Sequence, residues 1–140
     1  MLMSCWLLPA NTKFYDVFAA FELTETYWPM NAKMSTGDTI YVYLTAPYKQ
    51  VGFRCEVLGT GYDFERIRDQ IAPFIKGEVG NDAHKKPFMK LGSTNKILLD
   101  GDSALSLGKL RENGLNGMLQ GARKLENNLV LLTYIKDAFE

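Results

Sequence analysis

Residues 37–57 read GDTIYVYLTAPYKQVGFRCEV, and the rest of the chain is organised around this stretch. Gly37 and Asp38 open it as a turn. From Thr39 to Thr45 the side chains then alternate between two sets, Ile40, Val42 and Leu44 on one face and Thr39, Tyr41, Tyr43 and Thr45 on the other. Ala46 to Gln50 interrupts the run, because a proline cannot donate to a strand ladder. Val51, Phe53, Cys55 and Val57 resume the alternation. Two such strands joined by five residues predict an antiparallel hairpin. Each strand has two usable faces, one for a core and one to line a pocket.

Working outward, Ser4 to Leu8 reads as a first strand ended by Pro9. Asn11 is placed to cap a helix from Thr12 to Phe21, with Phe14, Val17, Phe18 and Phe21 on one stripe. Thr24 to Trp28 is short and β-prone, and Trp28 leads through Pro29, Met30 and Asn31 into a loop that feeds the hairpin. Beyond Val57, Gly59 and Gly61 mark a turn, Asp63 to Ile71 reads as helical with a break at Pro73, and Gly77 to Lys86 as a polar loop. Phe88 to Leu91 resumes a strand, and Ile97 to Leu99 is a further short extended piece. Ser106 starts a helix through Asn113 that Gly114 stops. Gly117 to Gly121 is a tight glycine-flanked segment, and Asn127 or Asn128 caps a last helix to Phe139. Five or six short strands with helices between them predict one α+β domain over residues 1–140, a small, partly open β-barrel with flanking helices.

Length and composition agree. A chain of 140 residues, 46% hydrophobic and 23% charged, is long enough to bury a real core and has the balance of an ordinary globular protein. No apolar run approaches the roughly 20 residues that span a bilayer, so no membrane contact is expected. The opening MLMSCWLLPA lacks a basic start and reads as a buried strand, not a signal peptide. Cys5 and Cys55 fall inside expected strands, as buried free thiols of a cytoplasmic protein. Net charge is zero, yet unevenly spread. Residues 1–83 carry 7 basic and 10 acidic side chains, 84–124 carry 8 and 3, and 125–140 carry 1 and 3. A local positive segment on a neutral chain suits a confined anionic contact, although a solvated lysine-rich face has the same composition.

Catalytic signatures are missing. His84 is the only histidine and lies in a polar stretch without a Cys or carboxylate at ligand spacing. There is no CxxC, HExxH, Walker lysine or GxSxG pattern. Asp100 and Asp102 straddle Gly101, a spacing that could touch a metal but that reads first as a turn. The expectation is a binding module, not an enzyme, with no metal and no cofactor.

The positive signal is aromatic. Trp28, Tyr43 and Tyr48 are expected at or near the mouth of the hairpin, with Trp6 on the strand beside it. A base stacked on such a ring gains roughly 1–3 kcal/mol. Extruding a nucleotide from a duplex costs a few kcal/mol, so one stacked base with a few hydrogen bonds offsets it. Two readings of Trp28 stay open on the residues alone, a ligand platform or a core side chain.

The succession CWLLPAN, a tryptophan ahead of KMSTGDTIYVYLTAPY, then FRCEV, PFMKL and LRENGLNGMLQGARKL resembles an EVE-type domain of the PUA-like superfamily, related to YTH and ASCH domains. It is most similar to the reader modules at the N-termini of modification-dependent (Type IV) restriction endonucleases of bacterial defence, in which an HNH nuclease domain often follows. The likeness covers nearly the whole chain except residues 62–86. It implies a small barrel that holds a modified base in an aromatic pocket. Trp28 falls where YTH domains place one pocket wall, with Tyr48 or Tyr43 as the second. Thr45 falls where EVE domains offer a small polar residue, and Asn11 and Trp6 complete the implied pocket. Gln120 and Arg123, with Lys124 and Arg111, are the implied nucleic-acid contacts, amide to base edge and guanidinium to phosphate.

Three functions follow as expectations. The first is a reader that flips 5-methylcytosine or 5-hydroxymethylcytosine out of double-stranded DNA, on behalf of a nuclease domain attached C-terminally. The second is a binder of modified RNA or a free nucleoside. The third is a protein-interaction module of the same fold without a working pocket.

Overall fold

The computed structural model describes residues 3–13, 15–30, 32–75, 86–97 and 104–139. Among them are six strands, β1 (Cys5–Ala10), β2 (Glu25–Pro29), β3 (Thr39–Leu44), β4 (Gln50–Tyr62), β5 (Phe88–Lys96) and β6 (Arg123–Lys124). They form one sheet in the order β2-β5-β4-β3-β1-β6, open between β2 and β6. β1 runs parallel to β3, and the other pairs are antiparallel. Four helices flank the sheet: α1 (Val17–Ala20), α2 (Phe64–Ile71), α3 (Leu107–Glu112) and α4 (Leu129–Ala138). None of the described helices is long and apolar enough to cross a membrane.

The hairpin of residues 37–57 is the middle of this sheet, and its alternation sorts the two cores. Ile40, Val42 and Leu44 of β3 face inward with Trp6, Leu8 and Ala10 of β1 and Phe53, Cys55 and Val57 of β4. Trp28 of β2 and Met89 and Leu91 of β5 join the same cluster. Five strands thus contribute to one interior, so the sheet curls around it as a partly open barrel. On the outer face Leu7, Tyr41, Tyr43 and Val51 pack under Leu110 of α3 and Leu131 and Ile135 of α4. Each large apolar side chain buried this way contributes roughly 1.5–3 kcal/mol. A smaller third cluster joins Phe64, Ile67 and Ile71 of α2 to Phe88.

Val51 does not share a face with Phe53, as strict alternation predicts. Val42 pairs with Phe53 and Tyr43 with Val51, so Gly52 is an extra residue and the register shifts. Such a bulge reverses the side-chain set on one side of it. Phe53 therefore points inward and Val51 outward.

β1 also runs past Pro9. Thr39 N donates to Ser4 O and Thr45 N to Ala10 O, so even-numbered β1 residues bond across to β3. Pro9 consequently faces the other side, past the pairing of Trp6 and Leu7 with β6. Its missing N–H costs no ladder bond there.

The expected helix from Thr12 is cut short. The Asn11 Oδ1 accepts from Lys13 N at 2.9 Å, which closes a tight turn and does not cap a helix. Tyr15 bridges to Ile75, and Asp16 N donates to Phe74 O, which hold the backbone extended. α1 begins only after Asp16, whose Oδ1 accepts from Ala19 N. Gly59 and Gly61 do not end the hairpin strand either. β4 continues through them to Tyr62, bending over irregular pairings with β5, and Gly61 supplies the left-handed φ of +78° that the bend needs.

The later signals behave as the residue types dictate. Ser106 caps α3, Gly114 at φ +112° follows its end, and Asn128 caps α4 by accepting from Leu131 N. Cys5 and Cys55 are free thiols. Phe14, most of the Gly77–Lys86 stretch with His84, Leu98 and Leu99, and Asp100 with Asp102 lie outside the described residues.

Candidate functional site

Parallel pairing of β1 with β3 brings their C-terminal ends together. Ala10 sits opposite Leu44, so Asn11 follows beside Thr45, and Thr45 N donates to Ala10 O at 3.1 Å. Tyr48 N closes the connecting turn onto Thr45 O, and the Tyr48 side chain stays 39% exposed. The edge of its ring meets Phe18 of α1 at 5.1 Å. Asn11, Thr45 and Tyr48 are thereby gathered at one end of the barrel, with an amide, a hydroxyl and a flat ring on offer.

Below Tyr48 the aromatic side chains continue inward without a break. Phe18 touches Phe53 at 6.1 Å, Phe53 touches Phe21 at 4.9 Å, and Phe21 stacks on Trp28 at 5.8 Å. Trp28 takes the edge of Tyr15 at 5.0 Å, and Tyr15 leans on Phe74 at 6.0 Å. Seven rings form one column. Tyr15, Phe18 and Phe21, from the segment between β1 and β2, supply three of them.

Trp28 is not in a loop. It pairs with Met89 inside β2, is 8% exposed, and is packed between Phe21 and Tyr15. The strand extends to Pro29 because β2 is an edge, where a proline is tolerated. Trp28 and Tyr48 do not face each other across a slot; Phe18, Phe53 and Phe21 stand between them. Tyr43 lies on the opposite side of the sheet from Trp28, because odd-numbered β3 residues point to the outer cluster. Burial there raises its pKa, and the charge of Arg111 opposes that rise.

Trp6 is an inward core residue with a polar anchor. Its indole N–H donates to Asp38 Oδ2 at 2.9 Å. The same buried carboxylate accepts from Ser4 N and Ser35 N, both at 2.9 Å. Asp38 thus ties β1, the 32–37 segment and β3 together, a role that the Gly-Asp turn signal does not reveal.

The later basic stretch forms a second feature. A cavity of about 350 Å³ lies beside β6, lined by Asn116, Arg123, Lys124, Asn127 and Asn128 with Leu131. The Arg123 guanidinium donates to the carbonyls of Asn116 and Met118, so it folds the 116–123 loop that carries exposed Gln120. Lys124 is exposed, and among these side chains it is the one set to meet an anion from solvent. Arg111 stands apart, on α3, where its charge acts on Tyr43 of the outer face. Among the described residues no group of three His, Cys, Asp or Glu could hold a metal ion.

Several participants escaped the sequence reading. Phe18 and Phe21 look like a helix stripe, Phe53 like a hairpin core residue, and Tyr15 carried no signal. Tyr15 has its pKa pushed up to about 12, chiefly by burial and further by Asp16, with the Thr26 side chain opposing.

No family profile matches the chain, and no curated protein matches it. Solved structures do. The ASCH protein from Zymomonas mobilis is 14% identical, with a TM-score of 0.61 over 93% of this chain and 94% of that one. A hypothetical protein from Leishmania major is 18% identical, with a TM-score of 0.57 over 97% of each chain. Human THYN1, solved in complex with DNA containing 5-methylcytosine, is 13% identical, with a TM-score of 0.55 over 94% of this chain and 97% of that one. At these identities the likeness establishes the fold. It is the α+β fold that the Zymomonas ASCH protein and THYN1 share.

Proposed function

We propose that this chain is a reader of modified cytosine in double-stranded DNA, receiving a flipped 5-methylcytosine or 5-hydroxymethylcytosine at the end of the barrel where β1 and β3 finish. The observation that carries the reading is the convergence of Asn11, Thr45 and Tyr48 above an aromatic column that contains Trp28. A base seated there gains roughly 1–3 kcal/mol per stacking contact. Asn11 and Thr45 offer hydrogen bonds to its edge. Support for DNA comes from THYN1, a protein of the same fold solved with 5-methylcytosine DNA.

Gln120, Lys124, Arg123 and Arg111 are the proposed nucleic-acid contacts, with Lys124 on a phosphate and Arg123 holding the Gln120 loop in shape. The resemblance to Type IV restriction readers supports a further step, in which the module directs an attached HNH nuclease to modified DNA. The module itself is proposed to be non-catalytic, to need no cofactor, and to work in the cytoplasm. Metal-dependent cleavage that stays with the protein through a final column would overturn that.

The test is a binding panel of matched duplexes carrying cytosine, 5-methylcytosine or 5-hydroxymethylcytosine, beside a methylated single-stranded RNA. Preference for a modified duplex, with increased fluorescence of 2-aminopurine placed next to the modified cytosine, is the expected result. Preference for the RNA moves the module to modified RNA. Equal or absent binding to all of them leaves a protein-interaction module.

A further inference from the structure

Two exposed lysines stand in the two turns that form the seat. Lys13 follows Asn11, and its backbone N–H donates to the Asn11 Oδ1 at 2.9 Å. Lys49 follows Tyr48, and its carbonyl accepts from Leu107 N at 2.8 Å, which ties that turn to the start of α3. In the sheet order β4-β3-β1, Lys49 leads into β4 on one side of the seat and Lys13 follows β1 on the other. Neither ammonium has an ion-pair partner among the described residues. Residues 10–13 and 45–50 contain no acidic side chain. Lys49 is also strained. Its φ is +51°, in the left-handed region, where a β-carbon crowds the backbone and glycine or asparagine fits with less cost. The turn is pinned by the bond from Tyr48 N to Thr45 O and by the pairing of Gln50 with Leu44. A lysine kept in this conformation at an exposed turn, beside a binding seat, points to a use for its charge.

We infer that Lys13 and Lys49 are a phosphate clamp astride the seat, each holding the phosphate on one side of the flipped nucleotide. This rests on the reading of the chain as a modified-cytosine reader with its seat at this end. An extruded nucleotide stays tethered by a phosphate on either side, and both follow the base towards the protein. A lysine suits such a moving target, because its compact charge sits on a flexible stem with three rotatable donors. Each contact also releases counterions condensed on the DNA, which favours binding at low salt. Phosphate contacts fix position and carry no base information. The clamp therefore holds the nucleotide in place, while Asn11, Thr45 and Tyr48 read it. These two contacts are separate from that of Lys124, which lies on β6.

The experiment uses Lys49→Asn and Lys13→Gln in the full chain, with 5-methylcytosine duplexes whose backbone charge is removed at one chosen phosphate. A neutral methylphosphonate is placed immediately 5′ of the modified cytosine, immediately 3′ of it, or several nucleotides away. On the unaltered duplex each variant should reduce the log–log salt slope by about 1, so the parent's advantage shrinks about threefold between roughly 50 and 200 mM salt. Preference for 5-methylcytosine over cytosine should survive, and the melting temperature of Lys49→Asn should be unchanged or higher. The decisive result is location. Each variant's loss should vanish on the duplex neutralised at one flanking phosphate, a different one for each lysine, and persist on the remotely neutralised duplex. A loss that is the same on every duplex would overturn the clamp, by showing only a general positive field. Parent-like affinity and slope in both variants would overturn it too, as would a lowered melting temperature in Lys49→Asn, which would give that side chain a structural role. A parent protein that binds none of the duplexes would remove the reader function, and this inference with it.

Discussion

The two faces of the central hairpin are built from different materials. The outer face is aliphatic, with Leu7, Leu105, Leu110, Leu115, Leu125, Leu131 and Ile135 closing over Tyr41 and Tyr43. The inner face mixes aliphatic residues with a run of touching rings through Phe53, Phe21 and Trp28, and carries buried polar groups, the Trp6–Asp38 bond and the Tyr15 hydroxyl. Leucine packs tightly and offers nothing to a ligand. Flat rings stacked edge to face can exchange one partner for another of similar shape, and a base has that shape. On the proposed function the outer face serves stability alone, whereas the inner face also backs the base seat.

The harshest way to break this contrast is Trp28→Ala. Emptying a buried indole from the column should cost about 3–5 kcal/mol of stability, measured by urea unfolding, and should also abolish binding to the modified duplex. Full binding by a weakened but folded Trp28→Ala protein would take Trp28 out of the seat. On the outer face, Leu131→Ala should cost about 2–5 kcal/mol while leaving affinity untouched at temperatures where the protein is folded. A specific loss of affinity would show that the faces are not separate.

Alkaline pH probes the inner face differently. Burial raises the Cys55 thiol from 9.0 to about 12, with Thr94 opposing, and Tyr15 from 10.0 to about 12. The folded chain thus keeps protons that the unfolded chain has lost, so this part of the stability is whole below about pH 9 and drains away as pH rises towards 12. Cys55→Ala should flatten the fall in urea midpoint between pH 9 and 10, before Tyr15 begins to contribute. An equally steep fall in the variant would mean that the thiol is not sealed.

Tyr48→Ala sharpens the contrast. The ring is 39% exposed and rests on Phe18 alone among the described aromatic side chains, so melting temperature should fall only slightly, while affinity falls by about 1–3 kcal/mol if a base stacks on it. The smallest effect is electrostatic. Lys124→Ala should reduce the log–log salt slope of binding by about 1. Arg123→Ala should leave the slope nearly unchanged and weaken binding through the loop, because its guanidinium is bonded to Asn116 and Met118 carbonyls. A flattened slope in Arg123→Ala would return that arginine to phosphate contact.

What the sequence determined by itself was local. The Thr39–Thr45 alternation, the Ser106 and Asn128 caps and the Gly114 stop are each decided within a few residues, so they are legible in order along the chain. The juxtaposition of Asn11 and Thr45 at one end was not, because it depends on β1 lying parallel beside β3. The tertiary structure decided the rest. Gly52 became a bulge only because β4 had to meet β3 and β5 at once, and it turned Val51 to the outer face. Tyr15 became extended because Ile75, sixty residues away, bridges to it. Trp28 became a strand residue through Met89, and a central ring of the column through Phe21 and Tyr15. Periodicity reports which side chains share a face, but which rings touch across a barrel depends on strand stagger and curvature, and these are settled only when every strand is in place.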